Sequence, residues 1–436
     1  MPPVSGEEKT QGCKTSDYVN HCLKLAPRLS TNGVLVRLQY RKLNLAVLGH
    51  RHTRRQVLRL LGGTFISLPT RLFASKSAAA ALTAKLQQFI DTRQVAGIVA
   101  LISHAGRDVY LEAFGSQDLE RHLPMRTSTI FDMRSMTKEI TATALMCLVE
   151  DGKLHLYDAV SDYLPEFASL KVAPPGQPPR PPSRPVTLTD LLTETSGMAP
   201  NRPPAISSIT RVLDRPLAEV VKIVATQPLI ADPGAPWLYS SMGYAVLGRV
   251  IEVRSGQPYE HFVSDRILRP LDMRDSFFFP PQEKWPRIAA MYNLETTPLH
   301  RDVIDIYRKG AKYSAPEFGM FSTVRDMERF FRMTINGGGL EGHRILKSAS
   351  VRAMLQPRVP TSLDGISQGL SWFICTDPSK QTDLHITSGS FGAAGASGTF
   401  GWVDPGQQLI RLLLMQRFGG TDTERNTFMH LAADVS

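Results

Sequence analysis

The sequence predicts an α+β fold in which one antiparallel sheet, flanked by helices, is built from both ends of the chain around a helical insertion. Three observations carry that reading. Strand-like runs cluster near residues 97–118 and again beyond residue 369. The middle of the chain holds one helix that is apolar or small on every face and a second with an apolar stripe. The 436 residues, 42% of them hydrophobic, suffice for two or three domain-sized units with full cores, and no internal repeat is visible.

Residues 1–75 stand apart by charge. They hold 12 Lys+Arg against 3 Asp+Glu, or +9, whereas the remaining 38 against 37 add +1 to the total of +10. The basicity belongs to this segment, and the body carries no nucleic-acid footprint. In "TRRQVLRLLGGTFISLPTRLFASKSAAA", Arg54-Arg55 precede a short apolar run, Val57 to Leu68, with cleavage candidates at Leu72-Phe73-Ala74 and Ser77-Ala78-Ala79. The pattern resembles a bacterial twin-arginine export signal, which implies the twin-arginine export machinery as a partner and a periplasmic or secreted product. About fifty residues precede it, so residues 1 to ~46 are expected to be an upstream extension. The run is short and carries Arg59 and Gly62-Gly63, which speaks against a permanent membrane anchor.

The body, 76–436, opens with a helical pattern over Ala78 to Thr92. The runs "GIVALISHAG" and "RDVYLEAFGS" follow, joined at Ala105-Gly106-Arg107-Asp108 as a tight hairpin. A helix is expected from Ile140 to Val149, stopped by Asp151-Gly152. Residues 153–240 are loop-rich, with "APPGQPPRPPSRP" as a stiff connection and "TLTDLLTETSG" as a short capped helix. "SSMGYAVLGRVIEVRSG" reads as a helix capped by Ser240 or Ser241 and closed by Gly256. The last third alternates the helix "TVRDMERFFRMTIN" with strands in "GLSWFICT", "GTFGWVD" and "LIRLLLMQ", and ends in a helix near Arg425 to Val435. The α/β part thus takes about 76–130 and 310–436, and the helical part about 131–309.

Cysteine and histidine offer no metal chemistry. Cys13 and Cys22 fall in the N-terminal segment, and Cys147 and Cys375 sit in apolar runs as small buried hydrophobes. The histidines of the body are scattered singly, without metal-ligand spacing.

The chemistry centres on "SMTK", residues 135–138, at the head of the most apolar helix. A serine hydroxyl needs a base within hydrogen-bond reach, and residues i and i+3 share a helix face. Burial and a helix N-terminus both favour the neutral lysine such a base requires. Ser135 and Lys138 therefore read as nucleophile and base. "GAPWLYSSMGY" places Tyr239 on a loop entering a helix, where a phenol can serve as general acid or base. "FGAAGASGTFGWVDP" is a strand entry rich in small residues, where backbone N–H groups can approach a substrate oxyanion.

Together, "SMTK", "LLTETSGM", "PGAPWLYSSMGYAVLGRVIE" and "FGAAGASGTFGWVDP", in this order, resemble the serine beta-lactamase-related superfamily. That superfamily includes class C beta-lactamases, D-alanyl-D-alanine carboxypeptidases and related esterases. The resemblance runs from about Ala80 to the C-terminus. It implies a beta-lactamase/transpeptidase-like fold with an all-helical domain beside the α/β part and a catalytic cleft between them. It also implies Ser135 as the acylated nucleophile, Lys138 as its base partner and Tyr239 as activator of the serine or the deacylating water. The N–H groups of Ser135 and Ala396 would form the oxyanion hole, with Ala394 and Gly395 beside them, and no cofactor is required.

Two departures shape the functional expectation. Ser241 stands where the family's Tyr-x-Asn element has its amide, and Ala393 stands where a cation would hold a substrate carboxylate. A small ester or amide is therefore the expected substrate. A D-alanyl-D-alanine carboxypeptidase or beta-lactamase acting on peptides or beta-lactams, and a catalytically impaired binding relative, are the alternatives. Glu194 replaces the His of "LLTHTSG" and, like His385, is read as solvent-facing or structural. "GISQG" puts Ser367 in a Gly-x-Ser-x-Gly frame, but without the strand-to-helix context of a nucleophile elbow, so the match is assigned to chance.

Overall fold

The computed structural model describes residues 70–200, 202, 204–294, 299–302 and 310–435. Arg54-Arg55 and the apolar run of the export-signal reading lie outside the described residues.

A nine-stranded sheet forms the backbone of the molecule. In chain order its strands are β1 (Gly97–His104), β2 (Arg107–Asp118), β3 (Leu123–Pro124), β4 (Val359–Pro360) and β5 (Ile366–Gln368). They continue with β6 (Phe373–Cys375), β7 (Phe391–Ala394), β8 (Phe400–Asp404) and β9 (Leu409–Met415). Their spatial order is β4-β5-β6-β7-β8-β9-β1-β2-β3, antiparallel throughout. Both chain ends thus meet at the β9–β1 pair, where Leu101 lies opposite Leu412. The β1–β2 turn is the expected tight hairpin: Ala105 and Gly106 are both left-handed, at φ +49° and +76°, which matches the twist of the strands.

Strand β1 is apolar along its length because both of its faces are covered. Ile98, Ala100 and Ile102 face an outer layer with Leu82, Leu86 and Phe89 of α1 (Thr70–Asp91) and Phe428 and Met429 of the C-terminal helix, Thr423–Ala432. Val99 and Leu101 face the inner core shared with the helical part. There lies α2 (Thr137–Glu150), buried at every position from Thr137 to Leu148. Burying each large apolar side chain of such a helix is worth about 1.5–3 kcal/mol, so the nucleophile's helix is anchored at the centre of the fold.

Against α2 packs α5 (Ser241–Ser255), on which α3 (Leu188–Leu192) and α4 (Leu217–Ala225) pack in turn, while α6 (Val324–Ile335) lies beneath the sheet and the C-terminal helix becomes α7. Thr187 caps α3 by accepting from the Asp190 N–H at 3.3 Å, and Thr323 caps α6 through Asp326 at 3.2 Å. Gly256 closes α5 in a left-handed conformation, as expected.

Three expectations need adjustment. Ser240 occupies the cap position of α5, but its hydroxyl donates to the Ala199 carbonyl at 2.9 Å and makes no cap. The strand in "GLSWFICT" shrinks to Phe373–Cys375, because left-handed Ser371 gives its N–H to the Leu192 carbonyl and leaves the ladder. The helical part also carries short strands: Phe131–Asp132 pairs with Phe321–Ser322, and Met291–Asn293 lies between His300–Asp302 and Arg417–Phe418.

Candidate active site

Ser135 lies in one turn of 3₁₀ helix, Arg134–Met136, that runs directly into α2. The turn is entered through a backbone that only a strong local tether maintains. Arg134 has φ +50°, its guanidinium pairs with Asp132 at 2.9 Å, and it packs on the rings of Phe318 and Phe418. This presents half-buried Ser135 at the mouth of the cleft and points Lys138, one turn on, into the interior.

Lys138 is 3% exposed. Its Nζ lies 3.1 Å from Ser135 Oγ, 2.9 Å from Tyr239 Oη and 3.2 Å from the Glu317 carbonyl. All three contacts are to oxygens without formal charge, and the one to Ser135 is the path along which a proton can pass between Oγ and Nζ. The Glu317 backbone carbonyl is thus the third contact of the lysine. Ser241 is half-buried at the first residue of α5 and is absent from the cleft lining.

Three buried carboxyls surround this cluster. Burial pushes Glu139 up to about 8, and its Oε1 accepts from the Ser371 hydroxyl at 3.2 Å. Burial likewise pushes Glu194 up to about 8, opposed by the charge of Lys138 and by a hydrogen bond from the Ser240 N–H. Glu317 is raised by burial too, and accepts the Tyr313 hydroxyl with both oxygens. Of the two readings of Glu194, solvent-facing or structural, the structure agrees with the second: it is 2% exposed, drawn inward by the backbone of the Tyr239 loop, whereas His385 is exposed.

The opposite wall comes from the end of β7 and the turn after it. Ser397 Oγ donates to the Asp132 carbonyl and Thr399 Oγ1 to the Met133 carbonyl, both at 2.9 Å, binding the turn to the backbone that leads into Ser135. Gly395 is required by this approach: a Cβ there would lie 2.4 Å from Met133 O and 2.2 Å from Thr399 Oγ1. The small-residue run therefore brings exposed Ala396 beside Ser135, where its backbone can face a reacting carbonyl.

Between the walls is a pocket of about 150 Å³ that contains Ser135, Tyr239 and Ala393 to Ala396. Its remaining surface is largely apolar, from Trp237, Leu363, Phe373, Leu384, Phe400 and Trp402. The two polar side chains at its far side are engaged, Gln381 with the Asp364 carbonyl at 2.7 Å and Arg425 with Asp422 at 2.9 Å.

The structure thus brings together Ser135, Lys138, Tyr239, Ala394, Gly395 and Ala396. Ser367 sits in mid-strand on β5 opposite Ile374, which is no nucleophile elbow. Sequence reasoning missed the Glu317 carbonyl, the Arg134 tether and the aromatic lining. The tether alone left a local signal, the Asp-x-Arg-Ser order of residues 132–135. Among the described residues there is no group of three or more metal-type ligands and no helix long and apolar enough to cross a membrane.

Comparison with known proteins agrees with this geometry. The chain is 31% identical over 362 residues to Protein Rv1367c of Mycobacterium tuberculosis, covering 76% of this chain and 88% of that one. It is 34% identical to esterase EstB of Burkholderia gladioli over 50% of this chain and 55% of the relative. The structure of EstCE1, a hydrolase with promiscuous acyltransferase activity, superposes with a TM-score of 0.71 at 23% identity, over 84% of this chain and all of the other, and so shares its fold. The family model described as Beta-lactamase matches residues 82–434, and this chain belongs to that family, within the serine hydrolase superfamily.

Proposed function

We propose that residues 76–436 form a hydrolase that is acylated on Ser135 and acts on small uncharged esters, and more slowly on amides, whose apolar group fills the Trp237–Phe373–Trp402 cleft. The observation that carries this reading is Lys138, buried, 3.1 Å from the Ser135 hydroxyl and 2.9 Å from Tyr239. In the first half-reaction Ser135 Oγ bonds to the substrate carbonyl carbon and its proton passes to the Lys138–Tyr239 pair. The N–H groups of Ser135 and Ala396 face the oxyanion, and the pair returns the proton to the departing alkoxide or amine. Water then attacks the acyl-enzyme by the same proton route in reverse, releasing the acid and restoring the Ser135 hydroxyl. Lys138 Nζ and Tyr239 Oη lie 2.9 Å apart, so a proton taken from Ser135 can pass between them.

Selectivity follows from the lining. Ala393 offers no cation and Arg425 is already paired with Asp422, so a substrate carboxylate would be buried without a partner. The likeness to esterase EstB supports the same substrate class.

The test is intact mass after exposure to a fluorophosphonate and, separately, to penicillin, with Ser135→Ala and Ser367→Ala controls. The expected result is a fluorophosphonate adduct lost only in Ser135→Ala. A stable penicilloyl adduct or rapid penicillin turnover would favour the carboxypeptidase or beta-lactamase reading, and no adduct on folded protein would favour a binding role. We further propose that the protein is exported through the twin-arginine pair; a native N-terminus at Met1 on a cytoplasmic product would refute it.

A further inference from the structure

Glu194 occupies an expensive position. Its backbone is left-handed at φ +58°, it is 2% exposed, and its Oε1 is buried without a hydrogen-bond partner in the structure. A buried carboxyl with an unmet oxygen costs stability that a neutral acceptor would not. What it holds is the loop that presents Tyr239. The Glu194 carbonyl accepts the Leu238 N–H at 2.8 Å, and Glu194 Oε2 accepts the Ser240 N–H at 2.7 Å. These two bonds bracket Tyr239, fixing the peptide on either side of the residue whose hydroxyl meets Lys138.

We propose that Glu194 is the positioning residue for Tyr239, its carbonyl and its carboxyl clamping the backbone on both sides of it. The inference rests on the reading of Ser135, Lys138 and Tyr239 as hydrolytic machinery. The ionisable groups that act on Glu194 are Lys138 and Glu139 from α2, and Glu194 acts in turn on Tyr244 of α5.

Two variants test the side-chain half of the clamp. Glu194→Gln keeps an oxygen for the Ser240 N–H; Glu194→Ala loses that acceptor and retains only the backbone bond to Leu238. The measurements are the rate of fluorophosphonate labelling against pH and the hydrogen exchange of the peptide over residues 236–242. Glu194→Ala is expected to exchange faster there and to label at least about tenfold more slowly. Glu194→Gln is expected to recover most of that rate. A Glu194→Ala protein that exchanges and labels like the parent overturns the clamp, and so does a Glu194→Gln protein that labels as slowly as Glu194→Ala. If the parent takes no label, the hydrolase reading is what has failed, and exchange in residues 236–242 still decides whether Glu194 holds the loop.

Discussion

On the helical side of Ser135 lie Lys138, Glu139, Glu194, Tyr244 and Glu317, all buried and all able to bind a proton. On the sheet side the cleft meets Trp237, Phe373, Leu384, Phe400 and Trp402, with its few polar groups already engaged. The first region decides where protons sit before any substrate arrives. The second has no spare charge and can sort substrates only by shape and apolar area. Reactivity and selectivity are thus assigned to different layers of the fold, one behind the nucleophile and one in front of it, and each can be changed while the other is left standing.

The sharpest way to break that division is Lys138→Ala, which removes the centre of the polar side. Its kcat/KM is expected to fall by about 10³-fold or more, equally for acetate and octanoate esters, as measured with a chromogenic series. A loss that depended on acyl length would show that the polar side also reads the substrate. Next in size is Gly395→Ala, which forces a Cβ to within 2.4 Å of Met133 O and parts the two walls. A loss of about 1–3 kcal/mol in urea unfolding is expected, together with slower labelling of Ser135.

Phe373→Ala tests the apolar side. Its kcat/KM for the octanoate ester should fall about tenfold while the acetate ester is unaffected, because only the longer chain reaches the lost ring. Equal slowing of both esters would collapse the distinction. The smallest expected effect concerns pH. Burial pushes Glu139 up to about 8 from an ordinary 4.5, so the stability it contributes is full below about 4.5 and is lost as pH rises toward 8. The unfolding midpoint of the parent should therefore drop between pH 5 and pH 8. That of Glu139→Gln should drop less, by on the order of 1 kcal/mol in calorimetry.

Much of this arrangement is legible in the sequence where the signal is local. Ser135 and Lys138 are one helical turn apart, the helix behind them is apolar on all faces, and the strands at both ends show their own patterns. The remainder depends on contacts between distant segments, which leave no periodic trace. Glu194 sits in a polar stretch, "TETSG", at the end of a short capped helix, and nothing local shows that its carbonyl and carboxyl accept the Leu238 and Ser240 amides. The Glu317 oxygen that meets Lys138 is a backbone carbonyl, which no side-chain motif can announce. Likewise the aromatic lining is gathered from Trp237, Phe373 and the Phe400–Trp402 pair, each of which reads locally as ordinary packing.

The pairing of β1 with β9 sets the order in which the molecule can come into being. The two strands are separated by roughly 300 residues, so this interior pair of the sheet is a contact of long loop closure. A ribosome adding about 5–20 residues per second leaves the Ser135 segment waiting on the order of tens of seconds for the turn at 395–399 and then for β9. Throughout that interval the serine has no facing wall and no apolar cleft. Completion of the last strands, long after the nucleophile itself has been made, is what turns the chain from a nascent polypeptide into a molecule with an enclosed site.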